Sequence, residues 1–326
     1  MRILLVSDAF PPLRTSAAVH MFDLAWDLSR HGHEVVVMTP VPNLDQRYIE
    51  SVESFGTLLS VRVPNTKDIS YFRRAVREFL QPFIMLSAFK SSSVSQFSLN
   101  GIVWYSPSIF FGPLIKRLKT HYRCRSYLVL RDLFPDWAVD LGILSKGLVY
   151  RFLKLIEHYQ YNAADKIGVQ CPVNMSLVTG GVEIQSKCEV LWTWLGGPPE
   201  SAKKCSIQVA ETQLRGRTIF VYAGNMGVAQ GMDMFIELAA GLLARQDVGF
   251  IFVGRGSDAE YMRAVASKGG LENVMFFDEI DPSEIPGLYA QCHIGLVALD
   301  PRHKTHNIPG KFLSYIKAGL PVLASV

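Results

Sequence analysis

Short, unbroken apolar runs, each followed by a loop and then by apolar residues at helical spacing, constrain this chain more than any other feature. The first run is RILLVS at residues 2–7. It lacks polar alternation, so as a strand it would be buried on both faces, as in a parallel sheet covered by helices. The loop DAFPPLRTSAA follows, and residues 18–31 place Val19, Phe22, Leu24, Ala25 and Leu28 at helical spacing. Gly32 suits a helix C-cap, and HGHEVVVMTP supplies the next turn and strand. One β-loop-α-β unit in the first 40 residues predicts a doubly wound α/β domain.

The same alternation restarts at Thr218. Strands are expected at 218–224, 248–254, 273–280 and 292–299, with helices at 232–246, 258–268, 283–291 and 310–318, and LPVLAS as a last strand. The intervening GGPPESAKKCSIQVAETQLRGR, at 196–217, is rich in small, polar, Pro and Gly residues. The sequence therefore predicts a Rossmann-like domain over 1–196, a linker over 197–217 and a second Rossmann-like domain over 218–326. Two such domains are expected to face a cleft, with ligands at the carboxyl ends of the strands. The 326 residues, 49% of them hydrophobic, suffice for two cores.

A net charge of +4 with 19% charged residues is too mild for a nucleic-acid protein and suits anionic ligands or an anionic membrane surface. Five cysteines without a C-x-x-C pair read as free thiols in a reducing compartment. The apolar start is interrupted by Ser7 and Asp8, unlike a signal peptide, and no long uncharged apolar window occurs, so a cytoplasmic protein is expected. The stretch YFRRAVREFLQPFIMLSAFK (71–90) mixes four cations with many apolar residues. It reads either as a basic amphipathic helix in a membrane interface or as a surface helix packed on the first domain.

Two glycine turns stand out, YAGNMGVAQGMD at 222–233 and VGRGSD at 253–258. A glycine turn between a buried strand and a helix lets backbone N–H groups approach a phosphate at the positive helix end. One such turn is often geometry only; two on successive strands favour a shared anionic ligand. G-x-G-x-x-G, P-loop, H-E-x-x-H and G-x-S-x-G motifs are absent, as is an Asp-x-Asp pair after a strand, so no metal site is expected.

FPP at 10–12 and RHGHEVVVMTP at 30–40 resemble the N-terminal signature of glycosyltransferase family 4. So does the later series YAGNMGVAQGMD, IFVGRGSD, NVMFFDEID, YAQCHIGLVALD and NIPGKFLSYIKAGLPVLAS. The resemblance implies the GT-B fold, a nucleotide-sugar donor, retention of anomeric configuration and no cofactor or bound metal. The YAGN-x-G-x-x-Q-G form, RDLFPD at 131–136 and P-x-K at 309–311 are similar to a subgroup building bacterial O-antigen and capsule units. That subgroup often uses UDP-linked N-acetylated amino sugars such as N-acetyl-fucosamine.

Carried onto this chain, the resemblance implies that Asn225, Gly227 and Gln230 line the donor diphosphate. Many members carry Arg and Lys at the first and last of these positions, so Arg255 and Lys311, the latter after Pro309, are the cations left to neutralise it. Phe277, Asp278 and Ile280 would meet the base. His306 and Ser314 stand where many members have two glutamates for the ribose and sugar. Arg131 and Asp132 replace a common strand-end histidine, with Asp132 placed to take the acceptor hydroxyl's proton. Arg14, Ser16 and Ala17 lie in the loop that replaces the usual Gly-Gly and would meet the acceptor.

The implied function is sugar transfer from a UDP-sugar to a lipid-diphosphate-linked saccharide, at the inner face of a bacterial plasma membrane reached through 71–90, with no nucleic acid involved. The family usually continues beyond PVLASV to a helix crossing back to the first domain, so a truncated second domain is expected. The alternatives are a weakly active nucleotide-binding remnant or a GT-B sugar-nucleotide epimerase.

Overall fold

The computed structural model describes the chain except residues 14, 67–68, 107, 197–203, 228–229, 301–307 and 326, and the side chains of 71 and 72. It divides into two compact units whose boundary falls within 197–203.

The first unit carries an eight-stranded sheet. Its strands are β1 (Arg2–Val6), β2 (Glu34–Pro42), β3 (Tyr48–Glu53), β4 (Gly56–Val63), β5 (Gly101–Tyr105), β6 (Arg125–Leu130), β7 (Lys166–Val169) and β8 (Cys188–Val190). The order is β3-β4-β2-β1-β5-β6-β7-β8, parallel except for the β3–β4 hairpin. β1 is central: Leu4 pairs Val36 on one side and Ile102 on the other. Helices α1 (Ser16–Arg30), α2 (Tyr71–Ser91), α3 (Gly112–Tyr122), α4 (Asp136–Asp140), α5 (Leu148–Ala163), α6 (Pro172–Leu177) and α7 (Gly181–Gln185) cover it. Alternate residues of β1 and β2 divide between two cores. Leu4, Val6, Val36 and Met38 join Phe89 of α2, Leu114 of α3 and Tyr161 of α5. Ile3, Leu5, Val35 and Val37 join Met21 and Ala25 of α1. This is the period-2 alternation of a strand buried on both sides.

The second unit holds a five-stranded, all-parallel sheet in the order β11-β10-β9-β12-β13. The strands are β9 (Thr218–Ala223), β10 (Val248–Val253), β11 (Val274–Phe277), β12 (Ile294–Ala298) and β13 (Val322–Ser325). They alternate with α8 (Asp233–Gly241), α9 (Ala259–Lys268), α10 (Ile285–Tyr289) and α11 (Gly310–Lys317). The predicted alternation is present in order, with shorter elements. α8 ends at Gly241 rather than 246, and β11 ends at Phe277, so Asp278 and Ile280 belong to the following loop. The stretch read as a linker to 217 is corrected in its packed part. Cys205, Ile207, Val209 and Leu214 are buried with Ile219 and Val221 of β9, because their apolar side chains complete that face of the sheet.

The two predicted glycine turns interlock. Gly254 has φ +139, and a Cβ there would lie 2.1 Å from the Gly224 carbonyl oxygen. The turn after β10 therefore exists only without a side chain at 254. Gly254→Ala is expected to lower unfolding free energy by about 2 kcal/mol or more. Urea unfolding checks it; an unchanged midpoint would show that the turns separate at no cost.

Candidate functional site

In the second unit the site is built by α11. Tyr315 is fully buried; its hydroxyl donates to the Val221 carbonyl (3.1 Å) and accepts from the Ala223 N–H (3.4 Å), fixing the helix on β9. Lys311 lies one turn earlier on the same helix face. Its side chain runs across Gly224, where a Cβ would lie 2.6 Å from the lysine Cε. Nζ stands 4.7 Å from the centroid of the buried Tyr222 ring. Burial pushes the lysine pKa down to about 8. Among the described residues no carboxylate forms an ion pair with Lys311, and the first turn of α11 holds no acid. An ammonium partly withdrawn from water at the start of a helix is unfavourable where no counter-charge stands beside it.

The neighbouring residues are more engaged than the sequence suggests. Asn225 Nδ2 donates to Gln230 Oε1 (3.0 Å), which also accepts from the Gly227 N–H (3.1 Å). These three residues meet at one turn, but they satisfy one another. Met226 N donates to the Arg255 carbonyl (2.8 Å) and binds the two glycine turns together. Arg255 is not the free cation expected, because its Nε pairs with Glu279 at 3.0 Å. Asp278 pairs with Arg263 at 2.7 Å and is otherwise exposed. Ser314 turns its hydroxyl back to the Gly310 carbonyl (3.3 Å), as serines within helices often do. Phe277 and Ile280 pack partly buried against the same core as Tyr315. Pro309 is the extended N-cap of α11. His306 lies outside the described residues.

The first unit gathers a second set at the carboxyl ends of β1, β5 and β6. Arg131, just past β6, is buried. Its Nη1 donates to Thr193 Oγ1 (2.5 Å), and its guanidinium carbon lies 4.6 Å from the Trp194 ring centroid. Nε and Nη2 find no hydrogen-bond partner among the described residues. The Asp132 N–H donates to Ser106 Oγ (3.3 Å), which ties the β6 end to the β5 end. Ser16 and Ala17 form the first turn of α1, whose Thr15 cap accepts from the Ala18 N–H. Arg14 is outside the described residues.

Three residues here escaped the sequence reading. His20 bonds through Nδ1 to the Tyr105 hydroxyl (3.0 Å), and burial with the nearby Arg131 charge lowers its pKa to about 4, so it is neutral near pH 7. Asp8, two residues past β1, has a buried Oδ1 without a hydrogen-bond partner among the described residues. Burial, then Glu78, raises its pKa to about 7; Asp132 adds to the rise, while Arg74 opposes it. The signal that singled out Arg131 and Asp132, a charge directly after an apolar strand, was present at Asp8 too.

Residues 217–326 match the family model described as Glycosyl transferases group 1. The chain is 23% identical over 314 residues to the putative colanic acid biosynthesis glycosyl transferase WcaI of Escherichia coli (strain K12), covering 90% of this chain and 76% of that protein. A UDP-forming alpha,alpha-trehalose-phosphate synthase from Burkholderia xenovorans, solved with glucose-6-phosphate, superposes with a TM-score of 0.70. Identity is 10%, covering 99% of this chain and 85% of the other. The lipopolysaccharide outer core galactosyltransferase WaaB superposes at 0.57 with 12% identity, covering 99% and 80%. The fold is thus the α/β GT-B type, with two Rossmann-like units.

The Asp8 carboxyl gives a signed pH effect. Its folded pKa is raised from 3.8 to about 7, so the folded state pays for its ionisation as pH climbs through that window. Asp8→Asn is therefore expected to raise Tm at pH 8 and to leave it nearly unchanged at pH 3. Calorimetry at both values tests this; equal shifts would show that Asp8 ionises freely in the folded chain.

Proposed function

We propose that the chain is a glycosyltransferase of family 4. In this reading it transfers a sugar, with retention, from a UDP-sugar to a lipid-diphosphate-linked saccharide during bacterial surface polysaccharide synthesis. The donor is an N-acetylated amino sugar. One observation carries the reading: Lys311, half-buried and without a carboxylate ion-pair partner among the described residues, sits over the Gly224 turn inside the stretch that matches the group 1 family model. The names of the WcaI and WaaB relatives, which concern colanic acid and lipopolysaccharide, support the polysaccharide context.

In the proposed reaction the bond from the anomeric carbon to the UDP oxygen breaks through an oxocarbenium-like state, and the bond to the acceptor oxygen forms on the same face. Charge builds on the departing diphosphate. Lys311 Nζ and the first N–H groups of α11 meet it without a bound metal, and they are already positioned before the reaction begins. Asn225, Gly227 and Gln230 exchange their mutual hydrogen bonds for bonds to the diphosphate. The backbone after Phe277, through Ile280, faces the base. Asp132 accepts the acceptor hydroxyl's proton, and Arg131 holds the acceptor side of the site. Ser16 and Ala17, with the α1 N-terminus, contact the acceptor. No helix among the described residues is long and apolar enough to cross a membrane, so the lipid-linked acceptor is met at the bilayer surface, through α2.

The direct test is UDP release from a panel of UDP-, GDP- and ADP-sugars, with and without a lipid-diphosphate-linked disaccharide. Acceptor-dependent release from a UDP-N-acetylamino sugar is expected. Conversion of the sugar nucleotide without acceptor would make the chain an epimerase, and UDP binding without release would make it a binding protein.

Two variants separate the roles. Lys311→Ala is expected to weaken UDP binding roughly 10- to 100-fold, as for a hydrogen bond to a charged group. Because the free lysine titrates near 8, wild-type affinity measured by calorimetry falls as pH rises above that value, whereas Lys311→Arg holds its affinity. Unchanged affinity in Lys311→Ala removes it from the donor site. Asp132→Asn is expected to leave UDP affinity intact and to lower kcat roughly 100-fold or more. Unchanged turnover makes Asp132 a scaffold residue.

A further inference from the structure

Helices α2, α3 and α5 lie side by side on one face of the first sheet. All three contribute to one core, through Met85 and Phe89, through Leu114 and Leu118, and through Tyr161. Their outer faces are unusual. Val76, Phe79, Leu80 and Phe83 of α2 are spaced i, i+3, i+4, i+7 and all exposed, Phe83 at 48%. On α5, Leu148, Phe152, Leu155 and Tyr159 form a second row at i, i+4, i+7, i+11, exposed by 84%, 54%, 69% and 41%. Neither row is the face the helix turns to the core. The rows are linked beneath the surface. Phe79 stacks edge-on against Phe110 (6.5 Å), and Phe110 shares a small core with Leu153 of α5.

Among the described residues, the exposed charged side chains on these three helices are basic, and Asp136, before α5, is paired with Lys154. Between the two rows α3 presents Lys116 and Arg117, both exposed, with Lys116 over the Tyr159 ring at 5.3 Å. Arg73 and Arg74 flank the α2 row, and Lys146 and Arg151 flank the α5 row, all exposed. α3 contains no acid. The one acid of α2, Glu78, is bound to Arg74, and the one acid of α5, Glu157, is buried and paired with Lys154. A second copy of this face would meet it with like charge. An occupant must be apolar within and anionic at its surface, which is the chemistry of a bilayer carrying acidic headgroups.

We infer that the outer faces of α2, α3 and α5 together dock the chain on an anionic bilayer, with the α5 row inserting alongside α2. This deepens the lipid-linked acceptor reading, but it stands on exposure and charge and is tested without any transfer assay. Flotation with phosphatidylcholine vesicles containing roughly 30% phosphatidylglycerol is compared with pure phosphatidylcholine vesicles. Binding is expected to be at least about tenfold tighter to the acidic vesicles and to weaken at about 0.5 M salt. The double variant Phe152→Ser with Leu155→Ser, and separately Lys116→Glu with Arg117→Glu, are each expected to lose about tenfold or more.

These positions are exposed, so Tm and UDP binding are expected to remain at wild-type values. Equal binding to both vesicle types overturns the inference, as does wild-type binding by the α5 variant. A lipid-free dimer that the α5 variant dissolves overturns it in favour of a second copy. Absence of vesicle binding by the folded chain overturns it in favour of an acidic protein partner. If vesicles bind but no sugar is transferred, the docking face stands and the transferase reading falls.

Discussion

The placement of the Lys311 ammonium is the constraint around which the second unit is arranged. Taking an ammonium out of water costs several kcal/mol unless something replaces its hydration. The Tyr222 ring 4.7 Å away offers a cation–π contact worth about 1–2 kcal/mol, which covers only part of that cost. The residual cost appears as the lowered pKa. What keeps the lysine there is the Tyr315 hydroxyl bonded to β9, which fixes the register of α11 on the sheet. Lys311 and Tyr315 are four apart, so anchoring the second places the first. The unit therefore holds a cation poorly solvated at a cost in folding stability.

The first unit uses the same principle with one acid and one base. Asp8, after β1, and Arg131, after β6, are partly unsatisfied polar groups at the carboxyl ends of the two strands that flank β5. A half-satisfied polar cluster in low dielectric is worse for stability than an apolar core. In each unit the cost falls at the strands' carboxyl ends, where α/β sheets hold their ligands. Elsewhere the strands are apolar and closely packed, as in the consecutive buried residues of β10.

Much of this was legible in sequence because it is local. Unbroken apolar runs fix β1, β9 and β10, and the spacing of Lys311 and Tyr315 is readable on any helix. Pairings across long stretches of chain were not. Arg255 reads as a free cation until the fold brings up Glu279, 24 residues later (279 minus 255), from the next strand's loop. Cys205, Ile207 and Val209 read as linker because their neighbours are Lys, Ser and Gln, and only the open face of β9 explains their burial. The Gly254 and Gly256 signal was real but ambiguous. Contact of their turn with the backbone of Gly224 and Met226 already requires glycine, so the residues themselves do not prove a phosphate.

Residues 71–90 fit both an interfacial helix and a packed surface helix, and α2 shows why composition does not choose between them. A helix apolar on one side packs, and one apolar on every side is buried. α2 is neither. Met85, Ala88 and Phe89 enter the core, while Val76, Phe79, Leu80 and Phe83 point outward over mostly earlier turns. The inward and outward sets are offset along the axis, so a single average over the segment merges two surfaces. Solvated cations alone would leave the outward apolar row unexplained, since a surface helix gains nothing from four exposed apolar side chains within eight residues. The row on α5, which composition gave no reason to inspect, repeats the arrangement on the far side of α3. Its recurrence is what separates a surface with a purpose from a helix that is merely greasy.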